Sequence, residues 1–114
     1  MKRVYIAGPY NAENICTCLD NMRRGMLATI EVLKLGYAPF CPWVDYHYRL
    51  MDGGITREMY QAQSMAWLRA ADAVLVLPGW AKSEGTQAEI AEAVKLKIPV
   101  YYSIEDLVDN LERV

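Results

Sequence analysis

The sequence predicts an α/β domain, a three-layer sandwich built on a parallel sheet of four to five strands. Three observations predict it. Short apolar runs alternate with helix-patterned segments four times over, the order of a parallel sheet with helices on both faces. The run Ala73-Val74-Leu75-Val76-Leu77 is apolar at every position, as a strand covered on both faces must be. The early apolar runs each lead into turns bearing Gly, Pro or Ser, on the side where open α/β sheets gather their ligands.

The elements follow in order. Val4 to Ala7 is a short strand ended by Gly8-Pro9. From Ala12 to Leu35, Ile15, Leu19, Met22, Met26, Ile30 and Leu33 recur in steps of four and three, which predicts one core-facing helix stripe. Gly36 stops that helix as a C-terminal cap. Tyr37 to Pro42 is a second strand, and Pro39 and Pro42 place it at a sheet edge. Trp43 to Gly54 reads as a polar-aromatic loop. Thr56 caps a helix to Ala71, with Asp72 read as ending it, and the apolar strand runs to Leu77. A turn at Ser83-Glu84-Gly85 opens a helix from Thr86 to Lys97. Pro99 to Tyr102 is the last strand, and Ser103 caps a terminal amphipathic helix, Ile104 to Leu111.

Composition bounds the function. The 114 residues form one domain, spanning 1–114, and 54% hydrophobic residues are enough for a core. A net charge of −2 argues against nucleic acid or an anionic membrane as the principal partner. No apolar run reaches membrane-spanning length. Cys16, Cys18 and Cys41 have no framework spacing and read as reduced thiols of a cytoplasmic protein. With one histidine and no Cys/His cluster, no metal site is expected. Dinucleotide, P-loop and serine-hydrolase signatures are all missing.

Three loops should converge at one end of the sheet: Gly8 to Asn11, Pro42 to Asp45, and Pro78 to Gly85. The last is the most informative. A small Ser/Gly/Thr turn opening a helix aims backbone N–H groups outward, where they can hold an anion. Glu89 follows about one and a half turns later. A phosphate cradle that close to a carboxylate points to chemistry on a phosphorylated small molecule. Glu89 also admits a plainer reading, as the far end of a Thr86-x-x-Glu89 capping box. The aromatic set Trp43, Tyr46, Tyr48 and Trp80 fits either nucleobase stacking or a subunit interface. Arg23 and Arg24 read as solvated.

The chain resembles the nucleoside 2-deoxyribosyltransferase family, and most closely its small members that act on nucleoside 5′-monophosphates. The resemblance rests on Tyr5-Ile6-Ala7-Gly8-Pro9, on Trp67-Leu68-Arg69-Ala70-Ala71-Asp72-Ala73-Val74, and on Leu77-Pro78-Gly79-Trp80 leading to Ser83-x-Gly85-x-x-x-Glu89. It implies a flavodoxin-like fold and a homo-oligomer, dimer or higher. It implies N-glycosidase or deoxyribosyltransferase activity without a cofactor, on a small-molecule nucleotide or nucleoside. Glu89 would be the carboxylate nucleophile and Tyr5 the residue that orients it. Ser83 and Gly85 would hold the 5′-phosphate, since the free-nucleoside branch carries an Asp where Ser83 stands. Gly8, Pro9, Asn11, Trp43, Asp45 and Thr86 complete the expected substrate-binding set. One position departs from the pattern: Ser64 stands where the family has an acid/base Asp. Asp45, His47 and Glu58 are the candidates to supply that proton. The alternative is a protein that binds, senses or sequesters a nucleotide without cleaving it.

Overall fold

A computed structural model describes residues 1–114. Its elements are β1 (Arg3–Ala7), α1 (Ile15–Lys34), β2 (Ala38–Phe40), α2 (Asp45–Met51), α3 (Arg57–Arg69), β3 (Ala73–Val76), α4 (Glu84–Lys95), β4 (Val100–Tyr101) and α5 (Ile104–Asn110). Single 3₁₀ turns at Pro42–Val44 and Trp80–Lys82 precede α2 and α4. The strands form one parallel sheet in the order β2-β1-β3-β4, with β2 at an edge as its prolines require.

Alternation along the central strands sorts the core into two halves. Val4 and Ile6 of β1, with Ala73 and Leu75 of β3, face Met22 and Val32 of α1 and Leu107 of α5. Tyr5 and Ala7, with Val74 and Val76, face Leu68 of α3 and Ala93 of α4. The result is a flavodoxin-like three-layer sandwich: α1 and α5, the sheet, then α3 and α4.

Local chemistry explains the helix ends. Asn14, Thr56, Ser83 and Ser103 each accept the backbone N–H three residues on, at α1, α3, α4 and α5. Gly36 has φ 99° and closes α1: its N–H donates to Leu33 O, and that of Tyr37 donates to Val32 O. This is the paired bonding of a Schellman cap, which glycine adopts without steric cost. Lys97 makes the same two-bond closure of α4 at φ 60°.

Four expectations are corrected. The segment 43–54 contains α2 rather than loop alone. Helix α4 starts at Glu84 because Ser83, not a later residue, supplies the cap. Asp72 does not end a helix: Ala70 is the C-cap of α3, and Asp72 Oδ2 accepts the Arg3 N–H at 2.7 Å, tying β1 to β3. The predicted stripe of α1 is buried only in part: its Met22 is in the core and its Met26 packs against it. Met22, Gly25 and Val32 face the core, whereas Ile15, Leu19, Ile30 and Leu33 lie about half exposed. The cause is Gly25. The Trp43 indole lies directly over it, so that a Cβ there would overlap the ring. The helix turns its side-chain-free spot, not its apolar stripe, towards Trp43.

Candidate functional site

The three loops do converge beyond the carboxyl ends of β1 and β3. Trp43 Nε1 donates to Pro9 O at 3.1 Å. A Cβ on Gly79, whose φ is 90°, would come within 3.0 Å of Pro9 Cγ. A Cβ on Gly8 would meet Leu77 Cβ at 3.0 Å and the Trp43 ring at 3.2 Å. The glycines at these two positions are therefore demanded by loop-on-loop packing.

On the α3/α4 side of this junction sits the chemical centre. The Tyr5 hydroxyl donates to Glu89 Oε2, across 84 residues of sequence. The bond occupies one carboxylate oxygen and leaves Oε1 free. Burial raises the Glu89 pKa to about 7, partly offset by the Tyr5 hydrogen bond. Burial and the adjacent Glu89 charge push the Tyr5 phenol far above its usual range, so it remains a donor at any physiological pH. Ser64, on α3, lies near the Tyr5 hydroxyl. Asp45, at the start of α2, is buried, accepts from Gln63 Nε2 at 3.2 Å, and lies close enough for its charge to act on both Tyr5 and Tyr10. Burial raises its pKa as well.

The turn before α4 has its own logic. Ser83 Oγ accepts from the Thr86 N–H at 3.3 Å and from Thr86 Oγ1 at 2.8 Å. Its own proton is left to donate outward. The first-turn amides of Glu84 and Gly85 have no intrahelical acceptor. A Cβ on Gly85 would meet nothing within 4 Å. Glycine at an exposed helical position costs about 1 kcal/mol against alanine. No contact within the protein requires it here. Glu89 is not at the capping position of α4, and its carboxylate binds Tyr5 instead; the capping-box reading of Glu89 fails because Ser83 fills that role.

The predicted residues do not all share one surface. Glu89, Tyr5, Ser83 and Gly85 lie on the α4 side. Thr86 is buried and supports Ser83, so it reaches no ligand directly. Trp43 is 2% exposed and offers no face for stacking; its role is to seat Pro9 and Gly25. With Pro9 it borders a groove of about 490 Å³ beside α1, on the other face of the sheet. Asn11 borders a second groove of about 290 Å³, between α1 and α2, with Tyr10, Tyr46 and Arg49. His47 and Glu58 are solvent-exposed.

Sequence reasoning missed an aromatic column. Tyr5 stacks on Phe40 at 5.6 Å, and Phe40 on the half-exposed Trp67 at 5.5 Å. The column fixes the plane of the Tyr5 ring and hence the line of its hydroxyl. It also missed Tyr10, whose phenol is pushed up to about 12 by burial and its neighbours Tyr46 and Asp45, and Tyr60, whose buried hydroxyl has no partner. Trp67 was visible in the Trp67-Leu68 pair, where buried Leu68 fixes which side of α3 faces the sheet. Nothing local announced Phe40.

Fold and centre together define a single α/β domain in which a buried tyrosine holds a carboxylate at the carboxyl edge of a parallel sheet. The chain belongs to the family described as a domain of unknown function (DUF4406), which matches residues 2–102 and so includes every residue of the centre. No curated protein matches the chain.

Proposed function

We propose that this protein cleaves the N-glycosidic bond of a (deoxy)nucleoside 5′-monophosphate, by hydrolysis or by transfer to a second base. The Tyr5–Glu89 pair carries the reading: a half-buried carboxylate with one oxygen held and the other free. A carboxylate so held suits attack on an anomeric carbon, where the transition state carries oxocarbenium charge. Glu89 Oε1 bonds to C1′ as the C1′–N bond breaks. The bond's electron pair leaves with the base, which takes a proton. Of the three candidate donors only Asp45 is buried beside Tyr5, so the proton is placed there. Water, or an acceptor base, then attacks C1′ of the ester, returning its proton to Asp45 and freeing Glu89.

The Ser83–Gly85 turn supports the 5′-phosphate. Gly85 and Glu89 are four residues apart, hence on one face of α4 and about 6 Å apart along its axis. That is the scale of a pentose with its 5′ substituent. A hydroxyl, free amides and the helix dipole all favour an anion there.

The test is a chromatographic assay for free base. Ribo- and deoxyribonucleoside 5′-monophosphates and the matching nucleosides are incubated with wild type and with Glu89→Ala. Base release from a monophosphate, lost in the variant, is the expected result. Release unchanged in Glu89→Ala would remove Glu89 as nucleophile. Tight binding without release from any substrate would make the protein a nucleotide sequesterer, and Ser64 the mark of lost turnover.

A further inference from the structure

The largest surface left unexplained is the outer side of α1. Ile15, Leu19, Leu27, Ile30 and Leu33 all stand about half exposed along it. They cover a strip on the order of 27 Å long at 1.5 Å per residue. The strip continues onto α2, since Ile15 and Leu50 border one groove. So long an apolar strip on one helix is a recognition surface rather than scattered exposure.

The charges around it say what it recognises. Leu27 has Arg23 four residues before it and Glu31 four after; Asp20 stands seven before and Lys34 seven after. Steps of four and seven keep all five on one helix face. All four charged residues are exposed, and none pairs within the chain, whose sole salt bridge joins Arg69 and Glu92. The signs reverse about Leu27. A second α1 laid antiparallel, on a two-fold axis near Leu27, would therefore set Asp20 against Lys34 and Arg23 against Glu31, each twice. The two Leu27 side chains would meet at the axis. A parallel pairing would oppose like charges. Such an isologous, self-complementary patch is the signature of a two-fold interface.

We infer that this protein forms a two-fold homodimer through antiparallel packing of its α1 helices, centred on Leu27. The interface lies on the layer opposite Glu89 and does not depend on the reaction proposed above.

The test is sedimentation equilibrium of the full chain across micromolar concentrations, with circular dichroism to check each variant's fold. Wild type is expected to be a dimer and Leu27→Asp a monomer. Arg23→Glu should raise the dimer dissociation constant roughly tenfold, because it opposes two like charges twice. The swapped variant Arg23→Glu/Glu31→Arg restores the pattern and should return to within about threefold of wild type. All these side chains are exposed, and the swap stays informative if Leu27→Asp folds poorly. A monomeric wild type, an undisturbed dimer in Arg23→Glu, or a swap that fails to restore association would each overturn the inference.

Discussion

Glu89 is held at a cost in stability. Its carboxyl has a pKa of about 7 in the fold, against 4.5 for the ordinary group. Protonated Glu89 is the form the fold tolerates best. A group whose folded pKa is raised contributes its stability fully below its unfolded pKa and loses it as pH rises through the folded one. The loss here falls between about pH 4.5 and 7 and is on the order of 3–4 kcal/mol at about 1.4 kcal/mol per tenfold change in proton affinity. Glu89→Gln keeps an acceptor for Tyr5 and removes the titration. In urea unfolding it should match wild type near pH 4.5 and exceed it above pH 7; an equal difference at both pH values would refute the assignment. Chemistry runs the other way, since only the carboxylate can attack C1′. Base release should therefore climb as pH rises towards 7 and fall again at higher pH, where Asp45 has lost the proton it gives the leaving base. Ser64 has no proton that titrates in this range and leaves the shape of this profile unmoved when replaced by alanine.

At the scale of the element, two glycines in helices make opposite predictions. Gly25 in α1 and Gly85 in α4 both carry the propensity penalty of about 1 kcal/mol. Under Gly25 lies the Trp43 indole, so Gly25→Ala forces the ring or the helix to move. Overpacking of this kind costs roughly 1–3 kcal/mol, more than the propensity gained, and thermal melting should show a net loss. Above Gly85 there is open space. Gly85→Ala should raise stability by about 0.5–1 kcal/mol while weakening nucleoside monophosphate binding, because the methyl occupies the room left for phosphate. If Gly85→Ala stabilised the protein and binding stayed intact, the phosphate would have to sit elsewhere. Lys97 supplies the contrast: it closes α4 as Gly36 closes α1, but with a Cβ in the left-handed region.

At the scale of the molecule, the sheet order does the assembling. Placing β1 between β2 and β3 brings the mid-strand Tyr5 beneath α4, and packs α3 beside it so that Ser64 lies near the same hydroxyl. The loops that follow β1, β2 and β3 close over the same edge, joined by Trp43 and Pro9. A site built from distant segments of one cooperative domain reports its ligand through global stability. A nucleoside 5′-monophosphate at about 100 times its Kd should add roughly 2.7 kcal/mol. That corresponds to a rise in Tm of about 10 °C for a domain of this size. No rise with any nucleotide would leave the fold without the proposed ligand. No helix is long and apolar enough to cross a membrane.

The elements were legible in the sequence because their causes are local. Thr56 and Ser103 cap the helices that follow them, Gly36 closes α1, Pro39 sends β2 to the edge, and Ala73 to Val76 is apolar throughout because both its faces are covered. Glu89 was legible as a carboxylate close to an anion-binding turn, but its role as candidate nucleophile, and Tyr5 beside it, came only through resemblance, since Tyr5 alone is a strand aromatic. Tertiary structure decided the rest, for reasons no window of sequence contains. It chose the buried face of α1 by seating Trp43 on Gly25, and so left Ile15, Leu19, Ile30 and Leu33 half exposed. It buried Thr86 and Trp43, and turned Asp45 inward while leaving His47 in solvent. It also stacked Phe40 and Trp67 on Tyr5. Each of these depends on which element lies against which, and that is fixed by packing the whole core, not by the propensity of any segment.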